Sequence, residues 1–236
     1  SVLDLYDTTR LRYPMQNTDG KGFKEIPTFE GVDKLVGAAI TAQAGKPVVV
    51  LSSTITSPTT LQAITEFLAK QPAGSRHVQY DAMSYSGMIL ANEACYGKKA
   101  IPSYHFDNAK TVVSLGADFL GTWLSPVEFS RQFSANRKVK STTPEINRHI
   151  HFESMLSLTG SNADDRYTHK PSETGAVALA LLAKLGGAVP APNLNAELAK
   201  GVNLAAEALL KTKGNSLVVC GSNDVNVQVV VNAINE

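Results

Sequence analysis

Cysteine is nearly absent: Cys95 and Cys220 are the only 2 in 236 residues, far apart and each set among small or apolar neighbours. Distant single thiols form neither a disulfide framework nor the clustered spacing of a zinc or iron–sulfur site, so both are expected as small core residues. An excess of one charge is missing too. Lys and Arg total 22 against 21 acids and form no long basic run, which removes the electrostatic footprint of a nucleic-acid or anionic-membrane binder. No apolar run approaches the roughly 20 residues of a spanning helix, and no charged-then-apolar leader is visible. Neither Gly-x-Gly-x-x-Gly nor Gly-x-x-x-x-Gly-Lys-Ser/Thr occurs, so a nicotinamide or nucleoside-triphosphate site has no direct support. The chain opens on Ser1 in a phrase that reads as the middle of something, and it is expected to be a segment of a longer polypeptide.

What the chain does have is an alternation of strand and helix patterns. Pro47 to Leu51 is a continuous β-rich apolar run, as expected of a parallel strand covered on both faces. Ser57-Pro58 then suits an N-cap with Pro at the first helical position, and Leu61, Ile64, Phe67 and Leu68 recur at helical spacing. His77 to Asp81 reads as the next strand, Met88 to Tyr96 as a helix, and Thr111 to Leu115 as a third strand. The helix after it carries a capping box, Ser125-x-x-Glu128. His149 to Ser157 alternates as a strand; Gly175 to Leu185 and Ala196 to Lys211 are helical; Ser216 to Cys220 and Val225 to Ile234 close the chain as strand and helix. The pattern implies an α/β fold with doubly wound, mostly parallel, Rossmann-like sheets. Residues 1–28 read as a lead-in, 29–82 as part of a first α/β lobe and 83–236 as a second.

In such sheets ligands bind at the carboxyl ends of the strands, which directs attention to the loop Gly116 to Pro126. The Ser52 to Thr60 loop is a weaker candidate anion cradle, since loops of this composition are commonly capped turns. His149, His151 and Glu153 share one face of a regular strand, a conceivable metal set; with no further ligand placed to close it, the solvent face of an edge strand accounts for them better. His105 and Asp107 near Tyr104 are too generically spaced to assign as an acid–base pair.

Leu5-Tyr6-Asp7-Thr8-Thr9-Arg10-Leu11-Arg12-Tyr13-Pro14-Met15 resembles the lead-in phrase of the molybdopterin oxidoreductases, with Tyr6, Arg10 and Tyr13 expected to anchor it to the first lobe. Phe23 to Ile40 resembles the helix that follows in those enzymes, Gly116-Ala117-Asp118-Phe119 their Gly-x-Asn-Pro loop, and Ala163-Asp164 with Lys170-Pro171-Ser172-Glu173-Thr174 their Ala-Asp and Arg-Pro-Gly-Thr-Asp elements. More narrowly, the phrases Leu51 to Thr59, Gln79 to Gly87 and Gly116 to Pro126 resemble the B subunits of bacterial alternative complex III, a quinol:electron acceptor oxidoreductase. In those subunits a molybdopterin-oxidoreductase-like domain without pterin is fused to an iron–sulfur domain.

The resemblance implies two lobes of that fold, no cofactor in this segment, iron–sulfur clusters elsewhere in the subunit, and no catalytic residue here. It implies cytochrome c and quinol-binding membrane subunits as partners, and a location on the periplasmic face of the inner membrane. The departures from the catalytic pattern have a chemical sense. Thr174 stands where an Asp would receive paired hydrogen bonds from guanine, and Ser172 and Glu173 replace Gly and Thr where backbone approaches phosphate. Asp118 puts a carboxylate in place of Asn. The alternative is an active molybdenum bis-pterin oxidoreductase fragment with a seryl ligand, Ser84 or Ser86, although turn chemistry accounts for those serines better. Phe119 and Trp123 are expected to fill the vacated crevice.

Overall fold

The computed structural model describes residues 2–139, 142 and 145–236. The fold is α/β with mostly parallel sheets and, among the described residues, 8 α-helices. The chain divides into two compact units, Ser1–Ala82 and Met83–Glu236.

In the first unit a 3-10 turn at Val2–Tyr6 precedes an antiparallel pair, β1 (Met15–Asn17) and β2 (Phe23–Glu25), followed by helix α1 (Phe29–Ala42). The single helix expected from Phe23 to Ile40 is therefore a strand and a shorter helix. Pro27 separates them, and Thr28 starts α1 by accepting the Gly31 N–H. A parallel pair, β3 (Val49–Ser52) and β4 (Arg76–Gln79), flanks α2 (Pro58–Leu68), whose N-cap Ser57 accepts from Thr60 N–H with Pro58 in the first turn, as the sequence implied. The expectation that Pro47 to Leu51 is covered on both faces is not met. Burial alternates along β3, and Leu51 is 70% exposed, because a sheet of two strands here offers cover on one side only. Tyr6, Arg10 and Tyr13 are exposed rather than packed as anchors.

The second unit is built on a wholly parallel four-stranded sheet, in the order β7 (Asp165–Thr168), β6 (Arg148–Glu153), β5 (Thr111–Leu115), β8 (Ser216–Cys220). Side chains alternate across it. Val113, Leu115, Ile150, Phe152, Val218 and Cys220 face one core, which is completed by α6 (Thr174–Lys184), α7 (Ala196–Lys211) and α8 (Val225–Asn235). The apolar stripe of α7 runs through Leu198, Val202, Ala205, Ala206 and Leu209 at helical spacing, and Asn195 caps it by accepting from Leu198 N–H.

The opposite face is an aromatic core. Val112 and Val219 meet Met88 of α3 (Ser86–Tyr96), Phe129 and Phe133 of α4 (Pro126–Ala135), and Phe106, Phe119 and Trp123 from the connecting segments. Phe119 stacks on Phe106 at 4.3 Å between ring centroids. The expected Ser125/Glu128 capping box does not form: Ser125 makes no side-chain cap bond. Glu128 instead accepts from Gln132 Nε2 at 3.1 Å, which orients Gln132 Oε1 to receive Phe106 N–H at 2.9 Å. Cys220 is buried as expected, whereas Cys95 is exposed, lying on the open side of α3.

β8 is an edge strand whose outer backbone is closed by side chains rather than by a further strand. Asn235 of α8 donates from Nδ2 to Val218 O at 2.8 Å and accepts Val218 N–H at 2.9 Å, and Gln228 Nε2 donates to Cys220 O at 2.9 Å. One amide thus copies the two bonds of a neighbouring strand and blunts an edge that would otherwise template association. Asn235→Ala is expected to cost about 1 kcal/mol, at the low end for losing buried partners because Asn235 sits near solvent. Urea unfolding followed through Trp123, the only tryptophan and a core residue of this unit, measures it.

Candidate functional site

The alternation that builds the two cores also produces a polar row within the aromatic face. Ser114 of β5 and His149, His151 and Glu153 of β6 all point to the side of Phe119 and Phe133, and His149 packs edge-on to both rings at 5.3 and 5.5 Å. The two histidines are fully buried and Glu153 is 3% exposed. This corrects the expectation of a solvent-facing edge strand. Two features account for it: β7, Asp165-Arg166-Tyr167-Thr168, carries two charges in four residues yet pairs with β6 and makes it interior, and Phe119 and Phe133 cover the face that bears the row.

Ser114 Oγ lies 2.8 Å from His149 Nε2 and in hydrogen-bond contact with His151 Nδ1. His151 Nε2 meets Glu153 Oε2 at 3.0 Å, Ser157 N–H donates to the same oxygen at 3.0 Å, and Arg166 Nε donates to Glu153 Oε1. Gly160 makes room for that carboxylate, since a Cβ there would fall 1.9 Å from Glu153 Oε1. A second clamp closes the other end. Arg137 binds both oxygens of Asp164 and the side chain and carbonyl of Asn147, while Asp164 accepts His149 N–H at 2.7 Å. Asp164, which resembles part of an Ala-Asp element, thereby ties the segment just after α4 to the start of β6.

Burial drives the proton affinities of the row. His149 is pushed down to about 3, by desolvation first and then by the neighbouring His151 and Arg137. His151 moves down as well, burial outweighing the opposing Glu153 carboxylate. Burial raises the Glu153 carboxyl, but the hydrogen bonds from Ser157, Arg166 and His151 together prevail and hold it below the usual range. The row is consequently neutral histidines against an ionised acid. No group of three or more His, Cys, Asp or Glu suited to hold a metal ion occurs among the described residues.

The positions matched to a cofactor crevice lie at the carboxyl edge of the same sheet. Asp118 Oδ1 accepts Thr159 N–H at 3.0 Å and Thr159 Oγ1–H at 2.8 Å, joining the loop after β5 to α5 (Leu158–Ser161). Glu173 Oε2 accepts Lys170 N–H at 2.8 Å. Thr174 Oγ1 donates to Pro171 O at 3.0 Å and lies 2.8 Å from His169 Nε2. Ser172 sits in the single 3-10 turn Pro171–Glu173 that leads into α6. Between β5 and β8 the edge is closed backbone to backbone: a Cβ on Gly221 would fall 2.2 Å from Gly116 O. Phe119 and Trp123 are buried in the aromatic core.

The remaining candidates are separate from this edge. Ser84 Oγ donates to Ser86 Oγ at 3.0 Å and accepts Ser86 N–H at 3.1 Å, the local turn chemistry of a helix start. In the first unit the Ser52 to Thr60 loop has two backbone donors engaged by side chains: Asp81 accepts Thr54 N–H at 2.8 Å and Gln79 Oε1 accepts Ile55 N–H at 2.9 Å. His105 Nδ1 and Asp107 Oδ1 stand 3.8 Å apart on the surface, with side chains 62% and 46% exposed. No helix among the described residues is long and apolar enough to cross a membrane.

Comparison of the chain with protein-family models finds no matching family, and comparison with curated proteins finds no match.

Proposed function

We propose that this chain is a catalytically silent, molybdopterin-oxidoreductase-like part of a membrane-bound respiratory quinol:electron acceptor oxidoreductase of the alternative complex III kind, serving assembly rather than chemistry. On this proposal its two units are lobes of the molybdopterin-oxidoreductase fold, and its iron–sulfur carriers lie elsewhere in the same polypeptide. Its partners are cytochrome c and quinol-binding membrane subunits on the periplasmic face of a bacterial inner membrane.

The supporting observation is that the polar atoms of Asp118, Glu173 and Thr174, at three of the cofactor positions, are bound by the chain itself. A pterin guanine dinucleotide does not fit this set. Guanine calls for paired charge-assisted acceptance, and Thr174 offers one hydroxyl already held between Pro171 and His169. Phosphate calls for free donors, whereas carboxylates stand at Glu173 and Asp118, each holding backbone N–H groups of the protein. The closed contact of Gly221 on Gly116 removes room between the strand ends. Apolar side chains left open, Phe23, Phe29 and Leu51 in one unit and Val127, Met155 and Leu156 in the other, suit burial against further subunits.

The test is to isolate the intact polypeptide from membranes and assay its metal and its companions. Co-purification with haem-bearing and quinol-oxidising subunits is expected, with molybdenum and tungsten far below one per chain. Near-stoichiometric molybdenum or tungsten overturns the proposal, and so does a chain that purifies alone as a stable monomer.

A further inference from the structure

A serine hydroxyl carries one proton and donates once, yet Ser114 Oγ touches ring nitrogens of both His149 and His151. With both rings neutral, two arrangements are open. In one, the hydroxyl donates to His149 Nε2 and accepts from His151 Nδ1–H. His151 then turns a bare Nε2 lone pair onto the Glu153 carboxylate at 3.0 Å, acceptor against acceptor. His149 must also carry its proton on Nδ1, a buried atom with no hydrogen-bond partner. In the other, His149 Nε2–H donates to Ser114, Ser114 donates to His151 Nδ1, and His151 Nε2–H donates to Glu153. Every donor then has an acceptor, and the atom left alone is a lone pair on His149 Nδ1, the lesser defect.

We infer that the second arrangement is the native one, and that it makes the row an acid-labile latch: a directed chain from His149 through Ser114 and His151 to Glu153 that joins β5, β6 and, through Arg166, β7. Neither ring can gain a proton without breaking it. A proton on His149 creates an Nδ1–H with no acceptor. A proton on His151 reverses the Ser114 hydroxyl, which then either donates to His149 Nε2 and drives the His149 proton onto the same solitary Nδ1, or accepts from both rings and leaves its own proton unpaired. Each route ends in a buried donor without an acceptor, so the pair stays neutral until the sheet opens.

The groups around the row agree with this. Arg137, beyond α4, and Arg166, on β7, oppose a further positive charge, while Asp164 before β7, Glu153 on β6 and Asp118 after β5 favour one. All three acids are held by hydrogen bonds of their own, Asp164 to Arg137, Glu153 to Arg166 and Ser157, and Asp118 to Thr159. From α4 and the loop after β5 the rings of Phe133 and Phe119 face His149.

The test is histidine-ring nitrogen NMR on the full chain, whose 5 histidines make a readable set. Both His149 and His151 are expected as Nε2–H tautomers at pH 7, with ring shifts that stay constant on acidification until the folded signals disappear together. An Nδ1–H signal from either ring, or reversible titration of either within the folded spectrum, overturns the latch. In Ser114→Ala the coupling is removed, so His149 is expected to populate both tautomers. A His149 that keeps a single tautomer in folded Ser114→Ala overturns the role given to the hydroxyl; if that variant does not fold, the wild-type spectra decide alone.

Discussion

Glu153→Ala is expected to destabilise the second unit by about 3 kcal/mol, in the range for breaking a buried charged pair. The carboxylate side chain is 4% exposed and accepts from His151, Ser157 and Arg166. Removing it leaves the His151 ring N–H and the Ser157 amide without acceptors inside the fold, each a loss of about 1 to 3 kcal/mol. Arg166 moderates the effect, because its side chain is 31% exposed and its guanidinium can turn to water. Glu153→Gln keeps the volume and an acceptor but not the charge, and about half the loss is expected. Gly160→Ala should act through the same carboxylate, since the new methyl would fall 1.9 Å from Oε1 and displace it. The two substitutions should therefore combine to less than their sum. Urea unfolding by Trp123 fluorescence reads each variant, and a loss below about 1 kcal/mol for Glu153→Ala would mean that the row does not hold these strands together.

How far the sequence discloses this fold depends on whether the deciding force is local. The elements with strong local signals, β5, β8 and α7, are found with the boundaries their patterns imply, and Ser57-Pro58 starts α2 as its chemistry suggests. The failures occur where a distant partner decides. Asp165 to Thr168 has little intrinsic strand character and becomes β7 because it pairs with β6, Arg148 pairing with Asp165 at 2.9 Å and Arg166 with Glu153 across the ladder. Without β7 the local pattern leaves β6 an edge, and nothing nearby in the chain shows that Phe119 and Phe133 will cover its polar face.

The candidate crevice shows the same division. That Asp118, Glu173 and Thr174 differ from a nucleotide-binding pattern is visible in their chemistry alone, and Lys170 and His169 meet Glu173 and Thr174 from close by in the chain, but that Thr159 meets Asp118 is a matter of tertiary geometry. Ser125 and Glu128 have the spacing of a capping box, and Gln132 recruits Glu128 because Phe106 N–H needs the amide. The Ser114 signal is the least legible: one hydroxyl in an apolar strand reads as a tolerated substitution until two histidines 35 and 37 residues later arrive beside it.

Acid should weaken this protein well before its carboxylates titrate. His149 is held near 3 against an ordinary value of 6.5, so below pH 6.5 the unfolded chain takes up a proton that the folded one refuses. The stability conferred by its neutral burial is complete above pH 6.5 and declines as pH falls toward 3. For one such group the loss between pH 7 and 5 is about 2 kcal/mol. His151 and His169 are also lowered, mainly by burial, and add losses of the same sign. Asp164 and Glu153, both held below their usual range, extend the decline below about pH 4.5, where the unfolded carboxylates begin to protonate. On the alkaline side the sign reverses. The Cys220 thiol is raised by burial to about 11 from 9.0, so the folded state retains a proton that the unfolded chain releases, and stability falls as pH rises above 9. Urea midpoints collected from pH 9 down to pH 5 should thus be flat above 7 and fall steeply below 6.5. His149→Phe, which keeps a ring against Phe119 and Phe133 while leaving Ser114 free to donate to His151, should lower the proton uptake on unfolding by one. An acid slope unchanged in that variant would place the acid sensitivity somewhere other than His149.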